Sequence, residues 1–236
     1  MQDGFAFLPA AGLVPLPEAR LLILVGLTGV GKSSFARALG WPLLPNRREL
    51  VDAYVLPQLG ADPDELGREE RFALTRRWRA AHPGGLAEAL AAAYVRPRWP
   101  LVFDGLRGEA EVAYAHRHLP RASFVVLQAP LAVRLERLLG RRDAFDRVAA
   151  KAGEELLAAA QGTIGVSEIE ELLRRGHDAA EVAAKLRILA AEQINYDQEG
   201  PRRALAGCRR ALFVDTTSHG PEQAAALVRE WLSDED

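Results

Sequence analysis

Eight consecutive residues, Gly26-Leu27-Thr28-Gly29-Val30-Gly31-Lys32-Ser33, satisfy the pattern G-x-x-x-x-G-K-[ST] at every specified position. A loop that wraps a polyphosphate must turn successive main-chain N–H groups inward. Glycines at 26, 29 and 31 permit the close approach and the unusual torsions this requires. The helix expected next contributes its positive N-terminal end. Lys32 is placed to reach the outer phosphates as a mobile point charge, and the Ser33 hydroxyl to ligate a Mg²⁺ ion bridging them; Ser34 adds a further contact. The candidate phosphate-contacting set is therefore Gly26, Leu27, Thr28, Gly29, Val30, Gly31, Lys32, Ser33 and Ser34. A glycine-rich turn that only joins strand to helix is the plainer reading, and the complete pattern between a strand and a helix argues against it. Asp104, at the end of the apolar run Leu101 to Phe103, sits where a carboxylate would hang at a sheet's carboxyl edge and share the magnesium with Ser33. Asp-Gly is also an ordinary turn dipeptide.

The elements that must position these residues follow from hydrophobic periodicity. Leu21 to Val25 is a continuous apolar run of the length found in strands buried on both faces of a parallel sheet. Leu101 to Phe103, Ser123 to Leu127 and Ala211 to Val214 are three more, and Leu43-Leu44, between Pro42 and Pro45, is a candidate fifth. Helical patterns fall at Lys32 to Leu39, Pro63 to Ala81, Leu86 to Val95, Glu109 to His116, Leu131 to Leu139 and Pro221 to Leu232. The alternation predicts an α/β fold of three layers, a parallel sheet between helices, with right-handed crossovers. Asp143 to Pro201 breaks that rhythm with helical periodicity and no strand, which predicts a helical insertion before the last strand. The chain then divides into a leader (1–20), a core (21–142), the insertion (143–201) and a last strand with a terminal helix (202–236). Within the insertion, Ile169-x-x-Leu172-Leu173, Gly176 and Asp178-x-x-Glu181 spell helix, turn, helix. Six acidic against four basic residues over Ser167 to Asn195 would repel a nucleic-acid backbone, so packing is the expected role.

Composition narrows the function. At 236 residues the chain suits one domain with an elaboration, and 49% hydrophobic with 26% charged residues excludes wholesale disorder. A net charge of -2 supplies no global field toward nucleic acid or anionic lipid, so phosphate binding must be local. Of the 30 Lys and Arg residues only Lys32, Lys151 and Lys185 are lysines. Cys208 is the single cysteine, which excludes an intrachain disulfide framework and fits a reducing cytoplasm. The first twenty residues carry Asp3, Pro9, Pro15 and Pro17 and do not read as a signal peptide; no apolar run approaches bilayer length.

With these motifs the sequence resembles the P-loop kinases of the nucleoside monophosphate kinase group, which includes adenylate kinases and dephospho-coenzyme A kinase-like proteins. The likeness is carried by the loop Gly26 to Ser33, the segment Asp104-Gly105-Leu106-Arg107, the arginine-rich helix Leu131 to Arg142 and the closing run Leu212 to Thr216. It implies a P-loop NTPase fold, ATP and Mg²⁺ as cofactors, and transfer of a phosphoryl group to a small acceptor, a nucleotide or related metabolite. It implies as well a lid whose arginines stabilise charge on the group in flight. Arg134, Arg137 and Arg141 share a face if the helix continues past Gly140, with Arg137 and Arg141 as first choices beside the catalytic Lys32 and Asp104. A solvated face paired with Glu136, Asp143 and Asp146 is the alternative for any one of them. Acceptor contacts would come from Arg107, which arrives one residue earlier than in the family's Asp-Gly-x-x-Arg segment, and from Arg47 and Arg48. The rival reading is a P-loop ATPase or nucleotide-dependent switch whose insertion docks to a protein or nucleic acid; a nucleic-acid end kinase is disfavoured by the net charge. A GTPase is not expected, because no Asn/Thr-Lys-x-Asp element is present.

Overall fold

The computed structural model describes residues 4–139 and 164–234. Arg141, Arg142, Asp143, Asp146 and Lys151 lie outside the described residues.

Four parallel strands form the central sheet: β3 (Leu21–Val25), β5 (Val102–Leu106), β6 (Ala122–Gln128) and β7 (Ala211–Asp215), in the order β5-β3-β6-β7. Every residue of β3 is buried, as its unbroken apolar sequence requires of a strand covered on both sides. Alternate side chains serve opposite faces. Leu21, Ile23 and Val25 join Phe124 and Val126 in one core, whereas Leu22 and Leu24 join Val125 and Leu127 in the other. Helices α5 (Leu86–Ala91) and α6 (Glu109–His118) cover the first face through Leu86, Leu90 and Val112. Helices α1 (Lys32–Leu39) and α11 (Pro221–Ser233) cover the second through Phe35, Leu39 and Val228. The fold is thus the expected three-layer α/β arrangement.

Residues 4–20, expected to stand apart as a leader, are built into this core. Strands β1 (Phe5–Ala6) and β2 (Val14–Pro15) flank β4 (Tyr94–Val95) in a small antiparallel sheet. Phe5 and Leu16 are only 4% and 1% exposed. That pairing also ends the helix expected to run to Val95: α5 stops at Ala91 because Tyr94 and Val95 find ladder partners. Leu43 makes a single parallel bridge to Val102, the remnant of the candidate fifth strand. Beyond it lies a helical segment that hydrophobic periodicity did not signal: α2 (Arg47–Leu50), a π-helical turn (Val51–Val55) and α3 (Leu56–Gln58). Asn46 starts it with a capping box, accepting from the amides of Arg48 at 2.9 Å and Glu49 at 3.1 Å, while the Glu49 carboxylate accepts from the Asn46 amide at 2.6 Å. Helix α4 (Arg68–Ala81) follows.

Helix α7 (Leu131–Leu139) leads toward the insertion, whose described part holds α8 (Val166–Arg174) and α9 (Ala179–Asn195); α10 (Gly200–Ala204) spans its end and the start of the segment leading to β7. Leu135 and Leu138 of α7 form a third apolar cluster with Leu172 of α8 and Val182, Leu186 and Leu189 of α9. The insertion is therefore packed on the fold through its own small core. Among the described residues no helix is long and apolar enough to cross a membrane.

Phe5→Ala should lower the unfolding free energy by about 3–5 kcal/mol, the usual cost of emptying a buried phenyl site, measured by urea titration. A leader independent of the core would leave the transition unchanged.

Candidate phosphate-binding site

The glycine-rich loop leaves the carboxyl end of β3 and enters α1 at Lys32, so it lies at the edge where open parallel sheets receive ligands. Its glycines are required by contact as well as by torsion. Gly29 has φ +85°, and a Cβ there would fall 2.7 Å from the Arg134 carbonyl oxygen of α7; a Cβ on Gly26 would fall 2.8 Å from the Leu127 carbonyl oxygen of β6. The loop is pressed against neighbouring main chain, which leaves its other side open. The first amides of α1 lack intrahelical acceptors, so they are available to an anion.

A cleft of about 310 Å³ opens on that side, lined by Thr28, Lys32, Ser33, Arg48, Asp104 and Arg107 among others. The Lys32 ammonium donates to the carbonyl oxygens of Gly26 and, at 3.1 Å, Leu27. Although the side chain as a whole is only part-buried, desolvation of its head group lowers the Lys32 pKa to about 7; the Arg107 and Arg134 charges push the same way, against Glu192 and Asp104. Asp104 lies at an irregularity in the β3–β5 register, where one extra residue is accommodated between the pairs Ile23–Phe103 and Val25–Leu106. Such a bulge re-aims a side chain. Among the described residues no hydrogen bond or ion pair engages the side chains of Ser33 or Asp104. One hydroxyl and one carboxylate on the same cleft suit Mg²⁺, which keeps several waters and takes its remaining ligands from phosphate oxygens. No group of three or more His, Cys, Asp or Glu among the described residues would hold a metal unaided. The donor set therefore fits an ion that arrives with a polyphosphate.

The arginines divide. Arg107 lines the cleft, one-third exposed, and its Nη1 donates to Glu192 at 3.2 Å. Arg48 also lines the cleft and reaches toward Asp52 at 3.8 Å. Arg47, expected to grip an acceptor, borders the cleft but its fork is filled. It donates to the Gly105 carbonyl oxygen at 2.8 Å, to both Glu111 oxygens at 2.9 and 3.1 Å, and to the Tyr196 hydroxyl at 3.1 Å. Burial alone would raise the Glu111 pKa; the charge and hydrogen bonds of Arg47 outweigh it and hold the carboxyl below its usual range. Arg137, expected over the transferring group, is turned to the carbonyl side of the loop instead. It donates to Val30 O at 3.2 Å, to the Thr216 hydroxyl at 2.8 Å and to Thr216 O at 2.7 Å, tying the loop to the end of β7. Arg134, one turn earlier on α7, is wholly buried: its Nε donates to Thr28 O at 2.7 Å and its Nη2 to Glu192. Arg141 lies outside the described residues.

Three further residues belong to this site. Glu192 and Tyr196, four apart at the C-terminal end of α9, reach the loop and Arg47 respectively, and Glu111 of α6 holds Arg47. A signal for Glu192 lay in the sequence: Val182, Leu186 and Leu189 trace an apolar stripe, and the next position on it carries a charge. Asn46-x-x-Glu49 likewise spelled a helix start beside Arg47. Beyond Asn46 a second hollow, of about 800 Å³, is walled by Phe5, Leu43, Leu44 and Leu50, with Glu49 and Asp52 at its polar side.

No protein-family model matches the sequence, and no curated protein matches it. Among solved structures the chain is similar to shikimate kinase from Acinetobacter baumannii in complex with shikimate, at 16% identity and TM-score 0.47 over 94% of this chain and 97% of that one. It is similar also to a gluconokinase from Sinorhizobium meliloti 1021, at 16% identity and TM-score 0.37 over 94% and 99%. A sugar kinase from Janibacter sp. HTCC2649 gives 16% and 0.40 over 91% and 95%. Likenesses of this size carry no inference of activity, which is read from the cleft itself.

Because Lys32 loses its proton near pH 7 in the folded chain and near pH 10.5 when unfolded, it destabilises the fold fully below pH 7 and not at all above pH 10.5. Between those values the unfolded chain binds more protons, so this contribution makes stability rise with pH. Lys32→Met should therefore raise the melting temperature at pH 6–7, with the gain shrinking as pH approaches 10; a gain independent of pH would contradict the assignment. Gly29→Ala should cost at least about 1 kcal/mol through the left-handed torsion alone. The overlap with the Arg134 carbonyl adds to that, and chemical denaturation reads the sum.

Proposed function

We propose that the chain is an ATP- and Mg²⁺-dependent phosphotransferase acting on a small acceptor. The observation that carries this reading is the convergence of a complete phosphate loop, Ser33 and Asp104, neither hydrogen-bonded through its side chain among the described residues, and Arg107 on one cleft at the carboxyl edge of a parallel sheet. The N-terminus of α1 and the loop amides other than that of Thr28, whose amide and hydroxyl are both taken by Glu192, receive the phosphates, and Lys32, held over the loop by two carbonyl oxygens, moves onto them as a counter-charge. Ser33 and Asp104 would hold Mg²⁺, which would supply positive charge to offset that of the phosphates. Arg107 faces the terminal phosphate from the mouth of the cleft, and Arg48 lies on the acceptor side. Arg47 and Arg137 act one step back: Arg47 keeps α2 against Gly105, and Arg137 keeps the loop closed against Thr216. Arg141 remains the candidate for closing over the phosphoryl group.

The acceptor's body is placed in the hollow beyond Asn46, whose volume suits a metabolite or nucleoside. Asn46 lines both the hollow and the cleft, so an acceptor seated there reaches the phosphates past it. For a hydroxyl acceptor the Asp104 carboxylate orients the group and takes its proton. The resemblance to the nucleoside monophosphate kinase group makes a nucleotide or related metabolite the first acceptor to test, in the cytoplasm.

ATP consumption should be screened across nucleoside monophosphates, nucleosides, coenzyme A precursors and sugars. An acceptor-dependent rate is expected, and Lys32→Ala should lower it by about 10²–10³-fold, the usual cost of removing one charge-stabilising donor. Turnover that ignores every acceptor and rises with a protein or nucleic-acid partner would establish the nucleotide-dependent switch instead.

A further inference from the structure

Glu192 is brought to the phosphate loop from the insertion, three residues beyond Leu189 on α9, and its side chain is 4% exposed. One oxygen accepts from the Thr28 amide at 2.9 Å, the Thr28 hydroxyl at 2.7 Å and Arg107 Nη1 at 3.2 Å. The other accepts from the same amide at 3.0 Å and from Arg134 Nη2. The amide concerned belongs to the Leu27–Thr28 peptide, and the carbonyl oxygen of that peptide is the one that takes the Lys32 ammonium at 3.1 Å. A peptide unit is planar, so fixing its N–H fixes the direction of its C=O. The next peptide is held as well, since Thr28 O receives Arg134 Nε at 2.7 Å. Two successive units of the loop are thus clamped from outside it, and both clamps depend on one carboxylate.

We propose that Glu192 is a positioning residue of the phosphate loop: its carboxylate fixes the Leu27–Thr28 peptide and holds Arg107 at the cleft mouth, so that Lys32 and Arg107 are both in place for the terminal phosphate of the donor. This rests on the phosphotransferase reading. Contact with the loop's third residue and with Arg107 places the effect at the outer end of a polyphosphate, away from the amides of α1. A nucleoside triphosphate should feel the loss of Glu192 more than a diphosphate does. The geometry also assigns the insertion a task at the site itself, in place of the macromolecular docking that the switch reading would give it.

The test is calorimetric binding, in Mg²⁺, of ADP and of a non-hydrolysable ATP analogue to the full chain and to E192Q, E192D, R107A and the E192Q/R107A double variant. Hydrogen exchange at the Thr28 amide is followed alongside. E192Q keeps the side chain's size but turns a donor toward Arg134. It should weaken the triphosphate analogue about tenfold or more, the scale of one charged hydrogen bond, and leave ADP within about threefold. The loss should be smaller in the R107A background, and the Thr28 amide should exchange faster. E192D keeps the charge that Arg134 needs with a shorter reach, and carries the same comparison should E192Q melt; its triphosphate loss should exceed its ADP loss. A triphosphate affinity that is unchanged or increased in E192Q, as expected of a carboxylate that only blocks the loop, overturns the proposal. So does an equal loss for both nucleotides, or an unaltered Thr28 exchange rate. Wild-type protein that binds neither nucleotide sinks the phosphotransferase reading itself, whereas wild-type binding with an indifferent E192Q sinks only the role of Glu192.

Discussion

The ion pair between Arg134 and Glu192 is the contact on which the loop, the helix behind it and the insertion all depend. Neither side chain has appreciable exposure, and the two residues are separated by 58 positions in the chain. Removing a guanidinium and a carboxylate from water costs several kcal/mol each, which a well-made pair only offsets, and deleting one partner strands the other at a cost of about 3–5 kcal/mol. Here the offset is incomplete even within the pair: Arg134 Nη1 is buried without a hydrogen-bond partner among the described residues. An apolar pair would hold α7 and α9 together at lower cost. What a charged pair adds is direction, because both members end on the main chain of Thr28.

The same economy recurs around the cleft. Beside Arg134, the guanidinium forks of Arg47 and Arg137 serve as struts between main-chain segments. Arg47 joins α2 to β5 and α6, and Arg137 joins the loop to β7. Tyr196 links the two halves of this scaffold. Its hydroxyl accepts from Arg47, its ring lies under Arg79 at 4.8 Å, and it packs so closely on Gly108 that a Cβ there would fall 2.6 Å from the ring. Planar, multiply donating groups suit this work better than lysine would. The one lysine of the site donates to two carbonyl oxygens and has a depressed proton affinity.

Much of this was legible in the amino-acid sequence, and the reasons for the rest are physical. The unbroken apolar run of β3 and the glycine spacing after it are local signals, and both survived folding unchanged. Arg134 and Arg137 share one side of α7 as their spacing implied, and that side meets the loop. Which surface of the loop it meets depends on how α7 crosses β6, a tertiary quantity that no spacing encodes. Arg47 read as a free cation because its neutraliser, Glu111, lies 64 residues away. Phe5 read as part of a leader because its ladder partner, Val95, lies far along the chain in a segment with a helical pattern. Both misreadings involve a partner distant in sequence, whereas β3 and the glycine spacing rest on local signals.

The stub at Leu43 has a consequence for how molecules of this protein meet one another. An open parallel sheet ends in rows of unpaired amides and carbonyls, and such margins invite strands from other chains. On the β5 margin, Leu44 donates to Val102 O at 2.7 Å and Val102 donates to Pro42 O at 2.9 Å. The edge groups of Val102 are thereby satisfied within the molecule, and Pro42 and Pro45, having no N–H, stop the stub from presenting a fresh row of donors of its own. A strand added from another molecule would have to displace residues 42–45 to reach Val102.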